Sequence, residues 1–283
     1  MTILPPWIVL DPLLQQWLVE DIGRGDRSTQ GLELTQSGQA YWMAKEGGIV
    51  AGLTVAARVF QLLDSQVVYT PLVAEGERVE QGQRIAEMRG PLTSLLMGER
   101  VALNLAMRLS GIATATRRYL DVIADLPTKL VDTRKTTPGL RLLEKYATQI
   151  GGAINHRMGL DDSVMVKDNH IVAAGGIAEA VKRIRKSIPY PLTIEVETSS
   201  FQEIQAAITA KADIIMLDNM TLEEMTQAVQ FIRRQNPDIR IEASGNITFD
   251  NLRLVAKTGV DYISSSAPIT RSPWLDLSMK LIF

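Results

Sequence analysis

Residues able to do chemistry crowd between positions 131 and 170, in VDTRKTTPGLRLLEKYATQIGGAINHRMGLDDSVMVKDNH. Arg134, Lys135, Arg141, His156, Arg157 and Lys167 stand there, and both histidines of the chain, His156 and His170, fall inside it. An apolar run ends at Asp132-Thr133-Arg134-Lys135, and a second, Val164-Met165-Val166, ends at Lys167-Asp168-Asn169-His170. Two strands that finish in charge, joined by a basic glycine-containing segment, form walls for a polyanion; a merely solvated basic loop seldom finishes buried strands on both sides. Arginines there would grip carboxylates or phosphates bidentately. Further on, Glu197 and Asp218 also follow apolar runs. Acids beside an anion make sense with a divalent cation between them, although each also reads as the partner of a pocket lysine. Ser244-Gly245-Asn246 and Ser265-Ser266-Ala267 offer small residues and free backbone N–H groups at the late strands, the usual place for a phosphate monoester in a β/α barrel. A substrate set carrying a phosphate, a metal-bound pyrophosphate and carboxylates would use all of these groups.

The composition narrows the setting. The 283 residues suit one large domain or two ordinary ones, and the apolar share of 46% allows a sizeable core. A net charge of −2 gives no global pull towards nucleic acid or an anionic membrane, so any basic site is local. With no cysteine, disulfides, thiolate metal sites and thiol nucleophiles are excluded. Two histidines make a poor zinc site, so metal chemistry is expected to use oxygen ligands. The first residues lack a basic n-region and a small-residue cleavage site, and no apolar run approaches the roughly 20 residues of a spanning helix. A cytoplasmic location is the expectation.

These residues need elements to position them. Asp11 and Pro12 are expected to open a first helix, followed by a turn-rich connector whose glycines follow no strand, which argues against a dinucleotide fold. Residues 39–89 alternate in short strand-like segments around a helix at 53–63, an α+β pattern on a small antiparallel sheet. Its turns are similar to those of a biotinyl or lipoyl module, but no lysine occupies the tip between Gly82 and Gly90. Residues 92–119 have helical spacing, with Gly111 as a close-packing point and Arg100 as an ordinary surface arginine by spacing alone. Beyond Pro127, apolar runs at 129–132, 164–166, 192–196, 213–217, 240–243 and 261–263 alternate with helical segments. That is the grammar of parallel strands with right-handed crossovers, and all the charged strand ends then meet on one face. Six runs fall short of a closed barrel: either a short strand lies near 151–155 or the barrel is incomplete. The tail alternates Leu275, Leu277, Met279 and Leu281 with polar residues, a strand expected to join the N-terminal sheet.

VDTRKTTPGLRLLEKYA, GGAINHRMGLDDSVMVKDNHI, IEVET, IIMLDN, EASGNI and GVDYISSSA occur in this order, preceded by LVEDIGRGDRST and ERVALNLAMRLSGIAT. Over nearly its whole length the chain resembles the quinolinate phosphoribosyltransferases (nicotinate-nucleotide pyrophosphorylase, carboxylating). The resemblance implies an N-terminal α+β open-faced sandwich, residues 1–115, and an incomplete β/α barrel of about seven strands, residues 116–272. The C-terminal strand, residues 273–283, would return to the sandwich. It implies transfer of phosphoribosyl from phosphoribosyl pyrophosphate to quinolinate with decarboxylation, in NAD biosynthesis. Magnesium would be the cofactor, held by Glu197 and Asp218 directly or through water, with no pyridoxal, thiamine or nicotinamide cofactor in the reaction. Arg134, His156, Arg157 and Lys167, with Thr133 beside them, correspond to groups around the pyridine dicarboxylate. Lys135, Glu197 and Asp218 correspond to the pyrophosphate side, with Lys135, Lys167, Glu197 and Asp218 as the catalytic set. Ser244, Gly245, Asn246, Ser265, Ser266 and Ala267 correspond to the 5′-phosphate cradle. One departure stands out: the family usually has glycine where Ser266 stands, and a side chain there would strain a positive φ. Arg100 corresponds to an arginine lent by a second subunit, so a homodimer with shared sites is implied, with further assembly into hexamers open. Neither nucleic acid nor a membrane is an expected partner.

Three other readings compete. A related phosphoribosyltransferase acting on another aromatic acid, such as nicotinate, or serving a molybdenum-uptake operon, would share the fold, but the set Arg100, Arg134, His156 and Arg157 favours a dicarboxylate. A Schiff-base aldolase or lyase would use Lys135 or Lys167. A non-catalytic phosphosugar-binding protein would leave Glu197 and Asp218 without a role.

Overall fold

A computed structural model describes residues 4–282. The chain divides into two compact units: residues 1–117 with 137–152 and 271–283, and residues 118–136 with 153–270.

In the first unit, helix α1 (Trp7–Ile22) begins before the expected cap, so Pro12 lies inside it, and α2 (Arg27–Gly31) is capped by Asp26. Asp11 is not a cap; it accepts from Arg58 Nε at 2.9 Å. The sheet comprises β1 (Ser37–Ala44), β3 (Val68–Pro71), β5 (Arg84–Pro91) and β12 (Leu277–Ile282), in the order β12-β1-β5-β3. All its pairings are antiparallel. The tail strand thus pairs with β1 as the alternation predicts, while Phe283 lies outside the described residues. β2 (Gly48–Ile49) and β4 (Arg78–Val79) form a separate ribbon. Strand β5, the central partner of β1 and β3, was not anticipated: its Arg84, Glu87 and Arg89 interrupt the apolar signal although Ile85, Ala86 and Met88 are buried. On β1 alternate residues Ala40, Trp42 and Ala44 face inward, and Val55, Ala56, Val59 and Phe60 of α3 (Leu53–Leu63) are likewise buried. Burying each such large side chain contributes roughly 1.5–3 kcal/mol. Trp42 meets Phe60 and, edge-on, Tyr69 at a centroid distance of 5.6 Å.

Helix α4 (Leu92–Val122) runs as one piece. Gly111 is the close-packing point expected: a Cβ there would lie 2.0 Å from the Pro273 carbonyl oxygen. Helix α5 (Arg141–Gly151) belongs to the first unit, although it lies within the 116–272 segment expected to form the barrel. Its Glu144, fully buried, accepts from Arg108 Nη2 of α4 at 2.7 Å and from the Thr137 backbone N–H at 2.8 Å. A buried carboxylate needs such partners, and they hold the helix there.

The second unit is parallel. Strands β6 (Lys129–Val131), β7 (Val164–Val166), β8 (Ile194–Thr198), β9 (Ile214–Asp218), β10 (Arg240–Ser244) and β11 (Tyr262–Ser264) are ordered β6-β11-β10-β9-β8-β7. Ile154 adds a single parallel bridge to Val131, the short strand expected near 151–155. No pairing joins Ile154 to β7 among the described residues, so the seven-position barrel is open at that seam. Helices α6 (Asp168–Ala174), α7 (Ile177–Ser187), α8 (Phe201–Thr209), α9 (Leu222–Gln235), α10 (Leu252–Ala256) and α11 (Ala267–Thr270) separate or follow the strands. Outward residues Val166, Val196, Ile215, Leu217, Ile241 and Ile263 share one core with Val181, Ile204, Ala207, Ala228 and Ile232 of the helices. Because strand side chains alternate, every second residue then points into the barrel. Strand β8 ends two residues beyond the expected 192–196, so Glu197 lies within the strand and shares a face with Glu195. Among the described residues no helix is long and apolar enough to cross a membrane.

Candidate active site

The inward residues of the parallel strands and the residues just beyond them line one cavity of about 590 Å³. That size suits a small-molecule site. Thr133, Arg134, Lys135, His156, Arg157, Lys167, Glu197, Asp218, Ser244, Gly245 and Asn246 all border it. Ser265, Ser266 and Ala267 do not. Asp132, Asn219 and Ser264, strand-end residues in the sequence though assigned no role there, also border it; sequence reasoning overlooked Glu242, which borders it too, and Glu195, which lies buried behind them.

At the rim, Lys167 Nζ meets Glu197 Oε2 at 3.0 Å, with both side chains partly open to solvent. The Lys167 backbone N–H donates to His170 Nδ1 at 3.0 Å, which steadies the start of α6. On the next strands, Asn219 links three groups. Its Nδ2 donates to Asp218 Oδ2 at 2.7 Å, its Oδ1 accepts from Asn246 Nδ2 at 3.0 Å, and its backbone N–H donates to the Ser244 carbonyl at 3.0 Å. Asn219 and Asn246 have φ of 54° and 51°, a left-handed conformation asparagine tolerates. Gly245 has φ 89°, and a Cβ there would lie 2.2 Å from Asn219 Oδ1. The turn therefore requires glycine.

The strain anticipated at Ser266 is absent: its φ is not positive, and its carbonyl accepts from Ile269 and Thr270 at the turn into α11. The free amides expected in this segment are not free either. The Ser265 N–H donates to Val131 O at 3.1 Å, and the Ala267 N–H donates to Ser265 Oγ at 3.3 Å. Closing the barrel against β6 uses one of these donors, and a local turn uses the other. Ser264, inward by alternation, borders the cavity in their place. Arg100 lies on α4 in the first unit, more than half exposed, with Glu99 3.9 Å away.

The recognition wall is more deeply set. Arg157 is only 9% exposed and donates from Nη1 to the Ser163 carbonyl at 3.0 Å. Burial and then the neighbouring Arg134 guanidinium lower its pKa, while Glu195 and Asp162 act in the opposite direction. Arg134 Nε is buried without a partner, a donor ready for an anion. Asp132, 2% exposed, directly follows β6 and accepts from the His156 backbone N–H at 2.8 Å and Asn155 Nδ2 at 2.6 Å. It fixes the segment that carries His156 and Arg157. Beneath them, His156 Nε2 lies 3.0 Å from Glu195 Oε2 and 3.6 Å from Glu242 Oε2. Their donor atoms lie within 4.8 Å of one another, but a direct hydrogen bond already joins His156 to Glu195. A period-2 reading could have found both glutamates, since each lies two residues before a rim residue in an otherwise apolar strand.

The divalent ion implied by the sequence fits Glu197 and Asp218 better. They supply hard oxygen donors from adjacent strands, each with one oxygen engaged by Lys167 or Asn219. Magnesium keeps several waters and is commonly held by one or two carboxylates together with substrate phosphates.

Two family descriptions match the chain: Quinolinate phosphoribosyl transferase, N-terminal domain, over residues 26–110, and its C-terminal domain over residues 112–280. A Synechocystis protein described as a probable nicotinate-nucleotide pyrophosphorylase [carboxylating] is 64% identical, covering 100% of this chain and 96% of its own. The human nicotinate-nucleotide pyrophosphorylase [carboxylating] is 41% identical, covering 99% of this chain and 93% of its own. The solved nicotinate-nucleotide pyrophosphorylase of Francisella tularensis superposes with a TM-score of 0.93 at 39% identity, covering 98% of each chain. Fold, cavity and kinship agree, and the chain belongs to the quinolinate phosphoribosyltransferase family.

Proposed function

We infer that the protein transfers the phosphoribosyl group of phosphoribosyl pyrophosphate to quinolinate, releasing pyrophosphate and CO2 and giving nicotinate mononucleotide for NAD biosynthesis. The observation that carries this reading is the joint presence, in one cavity, of Arg134, Arg157, Lys135 and Lys167 with the acids Glu197 and Asp218 and the Ser244-Gly245-Asn246 turn. The kinship with carboxylating pyrophosphorylases supports it.

Arg134 and Arg157 hold the two carboxylates, Arg134 with its unpartnered buried Nε. Lys135 faces the departing pyrophosphate, and Lys167 sits where the substrates meet. The ring nitrogen attacks the ribose C1 as an oxocarbenium-like centre develops, a step that needs alignment more than proton transfer. The bonded nitrogen is then cationic and stabilises the electron pair left at C2 when the carboxylate departs as CO2, until a proton taken up at C2 completes the product, so the adduct needs no other electron sink. The Ser244-Gly245-Asn246 turn, bordering the cavity, cradles the 5′-phosphate with its backbone. Magnesium, when bound through Glu197 and Asp218, supplies charge neutralisation on the pyrophosphate. Assaying purified protein for quinolinate-dependent release of pyrophosphate and CO2, with and without magnesium, tests the whole reading. Release from nicotinate instead, or none from quinolinate, would overturn it.

A cytoplasmic homodimer belongs to the same proposal, with Arg100 lent by the neighbouring subunit. Its support is the kinship of the chain with the family in which the motif of Arg100 occurs. Mixing inactive Arg100→Ala and Lys167→Ala proteins under conditions of subunit exchange should restore part of the activity. No recovery would count against a shared site.

A further inference from the structure

The cavity floor is costlier than its chemistry requires. Glu195 and Glu242 are 1% and 3% exposed, and each has an Oε1 with no hydrogen-bond partner. Burying two carboxylates within reach of each other is unfavourable unless they do something a hydrophobic residue cannot. What they share is His156. Its Nδ1 accepts the Arg157 backbone N–H at 2.8 Å, so that nitrogen keeps its lone pair and the ring proton is on Nε2. That Nε2 is 3.0 Å from Glu195 Oε2, with Glu242 Oε2 3.6 Å away.

We propose that Glu195 and Glu242 are positioning residues that hold His156 as its neutral Nε2–H tautomer, and through its ring fix the backbone from which Arg157 reaches the substrate carboxylate. The ring works as a strut. One end is gripped by carboxylates on β8 and β10, and the other receives the peptide N–H of Arg157. Asp132, accepting the His156 N–H at 2.8 Å, holds the same dipeptide from just beyond β6. Residues on or directly after three barrel strands thereby place one arginine, whose guanidinium also spans to Ser163 O at 3.0 Å. A cationic histidine would not serve, because a proton on Nδ1 would displace the Arg157 N–H. Burial, then the neighbouring Glu195, pushes the Glu242 carboxyl above the usual carboxylate range. Outer partners that orient a histidine in this way are familiar from metal sites, and here the oriented group is an arginine.

This inference rests on the proposed role of Arg157, and its two readouts fail separately from that role. With only two histidines in the chain, 15N-histidine NMR resolves both, and His170→Asn assigns them by subtraction. The expected His156 pattern at neutral pH is a neutral ring with Nε2 protonated; an Nδ1–H tautomer or an imidazolium overturns the proposal, whatever the enzyme's substrate proves to be. In kinetics, Glu195→Leu strands the Nε2–H and should raise KM for quinolinate on the order of tenfold, with KM for phosphoribosyl pyrophosphate little changed. Glu195→Gln, whose amide oxygen still accepts from Nε2, should recover most of that loss. A folded Glu195→Leu enzyme with unchanged quinolinate KM also overturns the proposal. If that variant does not fold, the wild-type spectrum decides. Wild-type protein inactive on quinolinate but showing the Nε2–H tautomer would sink the functional reading and leave the strut standing.

Discussion

At the rim of the cavity Lys167 and Glu197 meet at 3.0 Å; two residues deeper on the same strand, Glu195 meets His156 at the same distance. The rim pair is partly open to water, and the floor pair is nearly sealed. Equal distances therefore carry different consequences. A solvent-exposed ion pair contributes little to stability and parts easily, which suits groups that must let a charged substrate in. A sealed hydrogen bond leaves an uncompensated group when broken, which suits groups that must not move. The rim is built to exchange partners and the floor to keep them.

Substitutions can break or sharpen that contrast. Arg157→Ala removes a buried cation supported by the floor and should weaken quinolinate binding by about 2–5 kcal/mol, the range for stripping one member of a buried charge pair. Near-normal affinity in a calorimetric titration would reject its assignment. Gly245→Ala places a Cβ 2.2 Å from Asn219 Oδ1 at φ 89°, so it should destabilise by about 1–3 kcal/mol and weaken phosphoribosyl pyrophosphate binding. Denaturant unfolding and a titration with that substrate check the two effects. Glu197→Gln dissolves the rim pair and should change folding stability by no more than about 1 kcal/mol while suppressing pyrophosphate release. A large stability loss would show that the rim is structural after all.

The smallest effect is expected outside the cavity. Arg253 donates two hydrogen bonds to Asp125, at 2.7 and 2.8 Å, and these hold its pKa at about 2, below the ordinary 3.8. The contribution is thus fully present above the ordinary value and is lost as pH falls through about 2. Asp125→Asn should leave the acid limb of the unfolding profile only slightly altered, because the pair is open to solvent and screened. A pronounced change in urea midpoint between pH 5 and pH 2 would contradict that.

The rim was legible because a charged residue directly after an apolar run marks a strand end, and parallel strands gather their ends on one face. Lys135, Lys167 and Asp218 were found in this way. The floor was not: Glu195 and Glu242 sit inside apolar runs, and a run read as wholly buried hides which residues face the barrel and which the helices. Strand β5 escaped for a related reason, since charged residues break its apolar run while its backbone pairs on both sides. Helix α5 was recognisable as a basic segment, but its membership of the first unit depends on Glu144 finding Arg108, 36 residues away in sequence.

By itself the sequence determined the β/α alternation, the antiparallel unit, the returning tail strand and most of the charged cavity border. These follow from periodicity and local residue type, which are properties of neighbours along the chain. Only the tertiary structure decided that Ser264 borders the cavity while the Ser265 and Ala267 amides are used elsewhere, that Asn219 and Asn246 at the cavity border are left-handed, and that His156 turns one nitrogen to Glu195 and the other to Arg157. Each of these depends on which distant donor reaches which acceptor. Barrel closure brings those groups together, and hydrogen bonding inside a low-dielectric interior leaves them little alternative.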